Sequence, residues 1–345
     1  MENLKKILAL YGFDDEGFSN KVYQILLMAI EFHHPKKSAK ELLDIFNDED
    51  LIKVLNNLIF YSQQFLFARQ DERWELFIPL WIEENKAELF DLCLGTKLCE
   101  PVTPTKIEYD AVAIFGANKS EIYRRYKFVL ELLKSKTILV KNSIYLLTGQ
   151  RKLTPRIDGS QAYFDHLHHR FGETLYETHL MIDLFDRFGF AHYLGESIKT
   201  FIVDTPPGNS RRPNTFDTLV AMKDQLRPQE QTLLFISRSP AYWEQKAAVD
   251  RVFGESGLEY EVAGGSCTLS EVSDKARASY HILMSLAGAL YENYLVVARS
   301  INDERKIYSD EQIQGFKHKL GFRALSNKEV LFSDKPLTTM SNKTK

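Results

Sequence analysis

The sequence predicts an α/β fold, a doubly wound αβα sandwich with a mainly parallel sheet, preceded by an all-helical region. Three observations predict it. From residue 106 onward, short apolar runs alternate with amphipathic helical patterns, the signature of β-strand/α-helix repeats. Each apolar run ends in small, polar or cationic residues. Before residue 100 the apolar spacing is helical throughout.

The helical region is marked by Leu4, Ile7, Leu8 and Tyr11, then by Val22, Ile25, Leu26, Ala29 and Ile30 up to His33-His34-Pro35. Ser38 caps an expected third helix through Phe46, and Leu51, Val54, Leu55, Leu58 and Ile59 mark a fourth. Residues 74–94, opening with Trp74, Phe77 and Trp81, add another whose aromatic face suits a core or an interface. Glu100-Pro101-Val102-Thr103-Pro104-Thr105 carries two prolines in four residues and favours an extended path. The division expected is a helical domain over 1–100, a linker over 101–106, an α/β domain over 107–300, and a C-terminal extension over 301–345, partly disordered at its end.

The expected strands of the α/β domain are 110–115, 144–147, 201–203, 232–236 and 258–262. The expected helices cover 119–134, 173–188, a stretch from Asn214, one from about Ala241, and a long closing helix from about 271 to 299. Asn214 with Asp217 three residues on forms an approximate capping box. The polar stretch 151–172, with His166, His168, His169, Asp158 and Asp165, reads as a mobile, solvated lid rather than a metal site, since no His-x3-His pair or HExxH occurs.

In doubly wound sheets, ligands bind beyond the carboxyl ends of the strands, near a topological switch point. The first strand is followed by Gly116, Asn118 and Lys119, the second by Thr148, Gly149 and Arg151. The third is followed by Asp204, Gly208, Arg211, Arg212, Asn214 and Thr215, and the fourth by Ser237, Arg238 and Ser239. Backbone N–H groups at helix starts, together with these cations, suit an anionic ligand with phosphate or carboxylate groups. The Gly116 turn matches neither GxGxxG nor a P-loop, so an ordinary βα turn is the competing reading. Glu177 and Asp204 are candidate acid/base partners. Alternatively Glu177 serves its helix start and Asp204 accepts hydrogen bonds from ribose hydroxyls, the role favoured for Asp204. Arg211-Arg212 reads equally as a phosphate clamp or as surface charge. Ser237 and Ser239 lack the GxSxG context of a hydrolase nucleophile.

Formal net charge is -3, which excludes a general nucleic-acid coat or polybasic membrane surface. No apolar stretch reaches bilayer-spanning length, and the start lacks a signal-peptide h-region, so a cytoplasmic location is expected. Cys93, Cys99 and Cys267 form no CxxC pair and read as buried thiols of a reducing compartment.

Taken in order, these loops resemble the YdcF-like/SanA-like family, a bacterial domain of unknown function. The counterparts are Asp110 with Gly116, Arg124 or Arg125, Thr148-Gly149, Tyr176-Glu177-Thr178, Asp204, Asn214-Thr215-Phe216-Asp217-Thr218, and Ser237 to Lys246, over roughly 106–262. The chain departs from the family pattern in its single turn glycine and in Asp217-Thr218 for Glu-Asn. Tyr242, Gln245 and Lys246 occupy the register of the family's His and Arg. The resemblance implies a Rossmann-like αβα sandwich with a pocket at the strand ends. As in a family member reported to bind it, S-adenosylmethionine is one expected ligand, and a nucleotide another. One expectation is a ligand-binding enzyme of unknown reaction; the competing expectation is a non-catalytic regulatory or interaction protein that docks a protein partner through residues 1–100.

Overall fold

The computed structural model describes residues 2–13, 16–36, 39–66, 78–207, 213–267 and 274–300, with Tyr308, Gln312 and Ile313. The helical region runs α1 (Glu2–Leu10), α2 (Glu16–His33), α3 (Ala39–Asn47), α4 (Leu51–Tyr61), α5 (Leu80–Glu84) and α6 (Lys86–Leu94). Gly12 separates α1 from α2 at φ 80°, a left-handed conformation that glycine adopts without strain. Asp50 caps α4 by accepting the Ile52 N–H at 2.9 Å. Ser38, Trp74 and Phe77 lie outside the described residues.

The α/β part follows as β1 (Glu108–Phe115), α7 (Lys119–Lys134), β2 (Leu139–Gly149), α8 (Pro155–Asp158), α9 (Gln161–Phe171), α10 (Glu177–Arg187), β3 (Lys199–Thr205), α11 (Thr215–Lys223), β4 (Thr232–Arg238), α12 (Tyr242–Phe253), β5 (Glu259–Gly265) and α13 (Lys275–Ser300). The strands form one sheet in the order β3-β2-β1-β4-β5, and every pair is parallel. Five parallel strands in this order are a Rossmann-like arrangement. From β1 the strands are added outward on one side as β2 and β3 and then on the other as β4 and β5, which sets the switch point between β1 and β4.

Helices cover both faces, as strands buried on both sides require. Ile122, Tyr126, Val129, Leu180 and Met181 of α7 and α10 pack on one face. Leu219, Met222, Val249 and Phe253 of α11 and α12 pack on the other. The expected solvated lid is corrected here. Residues 155–171 form α8 and α9, and Tyr163, Phe164 and Leu167 are buried in the same core as α7 and α10. These three apolar positions recur at helical spacing, and Ser160 caps the helix.

The helix that closes the chain's α/β part faces the helical region. Tyr280, Leu283, Leu290 and Tyr294 of α13 belong to one core with Leu8, Leu26, Leu58 and Trp81. That block leans on α12, where Arg251 pairs with Glu292 at 3.0 Å and the Phe13 ring packs tilted against Trp243, centroids 4.8 Å apart. The segment expected as a linker is pinned. Val102 and Gly264 exchange two backbone hydrogen bonds of 2.8 Å, and Thr105 N–H donates to Glu261 at 2.7 Å. The C-terminal extension beyond Ile313 lies outside the described residues. No helix among the described residues is long and apolar enough to cross a membrane.

Candidate functional site

The strand ends enclose a cavity of about 80 Å³ lined by Gly116, Gly149, Glu177, Asn214, Thr215, Thr218 and Gln245 among others. Gly116 closes β1 and donates its N–H to the Leu147 carbonyl at 2.7 Å. A Cβ at this position would sit 2.6 Å from that carbonyl oxygen and still closer to Glu177 Oε1. The glycine is therefore required by β2 and by Glu177. Asn214 forms the expected capping box with Asp217, each backbone N–H reaching the other's side chain at 2.9 Å. The first turn of α11 thus lies against the cavity with its positive dipole end.

Glu177 opens α10 and is nearly sealed from solvent. Arg151 Nε donates to its Oε2 at 2.9 Å, and the same guanidinium grips Asp158 with two further bonds of 2.7 and 2.8 Å. Burial works against the Arg151 charge. The hydrogen bonds it donates to Asp158 and the charges of Glu177 and Asp158 outweigh it, holding the guanidinium protonated above its ordinary range. Arg151 is thus placed at the site as a holder of Glu177.

Asp204 stands apart from Glu177, exposed at the end of β3. Its Oδ1 accepts the Thr178 hydroxyl at 2.6 Å and the Thr148 hydroxyl at 3.3 Å, and Oδ2 accepts Gln150 Nε2 at 3.1 Å. Thr148 and Thr178 share a further bond of 2.8 Å. This ladder fixes the carboxylate at the exposed end of β3.

The crevice between β1 and β4 is filled. Arg125, from α7, donates to the carbonyls of Phe115 and Gly116 at 2.7 Å each, and reaches Gln245 Oε1 at 3.4 Å. The buried Ser237 hydroxyl donates to the same Gln245 oxygen. Arg238 turns toward Glu121 of α7, with Nη1 2.6 Å from Oε2. Burial raises the Glu121 carboxyl, but the Arg238 charge and hydrogen bond outweigh it, so its value falls below the ordinary one. Ser239 Oγ donates to the Glu100 carbonyl at 2.7 Å.

Lys119 leaves the strand ends on the other side and sits over the Tyr163 ring, 3.3 Å from its centroid. Burial, and then the Arg187 charge, lower its ammonium from the ordinary value. Asn118 caps α7 by accepting the Glu121 N–H at 3.1 Å. The cations read from the sequence as one anion-binding collection therefore divide. Arg151 and Arg238 are paired with carboxylates, Lys119 covers a tyrosine, and Arg211 and Arg212 lie outside the described residues.

His166 donates to buried Asp183 at 2.8 Å, beside Tyr163, Arg170 and Arg187 on the same carboxylate. His168 bonds the Gly172 carbonyl at 2.9 Å. Among the described residues, no group of three or more His, Cys, Asp and Glu is arranged to hold a metal ion. The expectation of three buried thiols holds for Cys93, while Cys99 and Cys267 are partly exposed.

No family model, curated protein or solved structure matches this chain. Sequence reasoning missed Asp158, which it read as part of a solvated lid, and also Thr218 and the packing role of Arg125. The usable signals were Pro155 at a helix start, for α8, and Thr218 one turn beyond Asn214.

Proposed function

We propose that this chain binds a small polar molecule at the carboxyl ends of β1, β2 and β3, with one charged group of the ligand held in the cavity beside Glu177. The observation that carries this reading is the pairing of a buried carboxylate with the N-terminal turn of α11 across one small cavity. A carboxylate attracts an ammonium, and a helix start attracts a carboxylate or phosphate. The two together fit a zwitterionic group better than a bare phosphate, which Glu177 repels. Of the expected ligands, one of S-adenosylmethionine type fits better than a nucleotide, because it carries an ammonium and a carboxylate on one carbon. The resemblance of residues 106–262 to YdcF-like proteins supports the same ligand class.

The cavity is far smaller than the ~300–1,000 Å³ of sites that enclose a whole drug-sized ligand. It holds the zwitterionic end, and the remainder of the ligand extends over the strand ends toward Asp204, where the exposed carboxylate accepts ribose hydroxyls. A thermal-shift screen tests the reading. S-adenosylmethionine and S-adenosylhomocysteine should raise the melting temperature more than ATP or inorganic phosphate does. A shift with phosphate compounds only would return the site to a plain anion site.

A second reading rests on the filled crevice between β1 and β4. With Arg125, Gln245 and Ser237 occupying the position where such folds commonly hold a ligand, the chain serves as a non-catalytic interaction protein that docks a protein partner through the helices of residues 1–100. Absence of any thermal shift across the screen favours it.

A further inference from the structure

Two of the three cysteines meet where the chain leaves the helical region. Val102 and Gly264 form an antiparallel pair that exchanges both backbone hydrogen bonds. Cys99 stands three residues before Val102 and Cys267 three residues after Gly264, so the chain brings both cysteines to the same side of this bridge. The Cys267 N–H donates to the Cys99 carbonyl at 3.2 Å, so the two backbones remain adjacent there. Residues joined by a direct backbone hydrogen bond lie close enough at Cα for the ~4.4–6.8 Å that a disulfide spans. The two thiols lie close enough to shift each other's titration, and both are partly exposed.

We propose that Cys99 and Cys267 form a reversible disulfide that ties the end of the helical region to the end of β5. The bridge would enclose all five strands in one loop, a constraint that acts chiefly on the unfolded chain. It also lies beside the strand-end network, since Arg238, which pairs with Glu121, reaches the carbonyl of Ser266 at 3.4 Å.

Cys267 is the attacking thiol. The hydrogen bond from Cys99, followed by the Arg238 charge, lowers its value despite burial. The reciprocal bond and burial raise Cys99. Burial pushes the Cys93 thiol up to about 12 and leaves it inert. With a small disulfide such as oxidised glutathione, the Cys267 thiolate attacks one sulfur, forms a mixed disulfide and expels one glutathione thiolate. Cys99, after losing its proton, then attacks the Cys267 sulfur and expels the second glutathione. Two protein thiols are oxidised, one glutathione disulfide is reduced to two thiols, and the protons pass to the released glutathione.

The test incubates the full-length folded chain with oxidised glutathione, then counts thiols and maps peptides without reduction. Wild type and Cys93→Ser should each lose two thiols, carry a peptide linking residues 99 and 267, melt higher, and revert with dithiothreitol. Cys99→Ser should instead retain glutathione on Cys267. Three unreacted thiols in the wild type, or separate glutathione adducts on Cys99 and Cys267 without a linked peptide, would overturn the proposal.

Discussion

Arg151 and Glu177 face each other at the end of the sheet, Nε to Oε2 at 2.9 Å, with only 3% and 5% of their side chains exposed. Asp158, fully buried, completes the group from α8. The site is therefore organised around a carboxylate held in place by a buried arginine. Removing one member of such a group leaves charge without compensation.

Arg151→Met should accordingly destabilise the fold by ~3–5 kcal/mol. Adding Asp158→Asn to it should recover part of the loss. Arg124→Met removes an exposed pair with Glu121 and should change stability by less than ~1 kcal/mol. Urea denaturation of the three variants measures the contrast. Equal effects of Arg151→Met and Arg124→Met would show that the triad is not buried as described.

Gly116→Ala should cost ~2 kcal/mol or more, the range of overpacked cores, because its Cβ would meet both the Leu147 carbonyl and Glu177. Gly265→Ala provides the control, since a Cβ there meets nothing nearer than 3.7 Å, from the Phe128 ring. Denaturation midpoints of the two variants should separate clearly, with Gly265→Ala close to wild type.

Much of the fold was legible in the residues. The pattern Lys119 to Lys134 predicted α7 at its observed bounds, and Asn214 with Asp217 predicted the start of α11. Strand cores were found, but strand ends were not. β2 begins at Leu139, where Leu139 and Val140 pair with Glu108 and Tyr109 of β1, and the polar Lys141-Asn142-Ser143 that follows separates this short start from the apolar run over 144–147. α8 and α9 were hidden by their charged faces, because a helix with three buried positions among histidines and acids resembles a solvated loop in composition. The partner of α13 was equally invisible, since an apolar face on a helix does not state which core receives it. In the candidate site, Gly116, Gly149, Glu177, Asn214 and Thr215 were identified and come together. Arginines were identified too, but charge on a sequence does not reveal pairing. Arg151 and Arg238 are engaged by acids, Asp158 and Glu121, that were not weighed with them.

Acid should reveal the Asp183 cluster. Burial raises this carboxyl, but hydrogen bonds from His166, Tyr163 and Arg170 and the Arg187 charge outweigh it, so the folded value is lowered. Asp183 therefore contributes its full stabilisation above the unfolded value of about 3.9 and loses it as pH falls through the lower folded value. Stability of the wild type should drop across that acid window, and Asp183→Asn should flatten the drop while lowering stability at neutral pH. Denaturation midpoints against pH for both proteins check this.

Isothermal titration with S-adenosylmethionine, on wild type and Glu177→Gln, tests the central claim most directly. The substitution keeps the side chain's size and an oxygen for Arg151 but removes the charge that faces the ligand ammonium. A charged hydrogen bond of ~1.5–3 kcal/mol corresponds to a loss of about tenfold or more in affinity. Measurable binding by the wild type, weakened at least to that extent in Glu177→Gln, is the predicted result. No binding heat in the wild type, or equal affinity in the two proteins, would contradict a site built around Glu177.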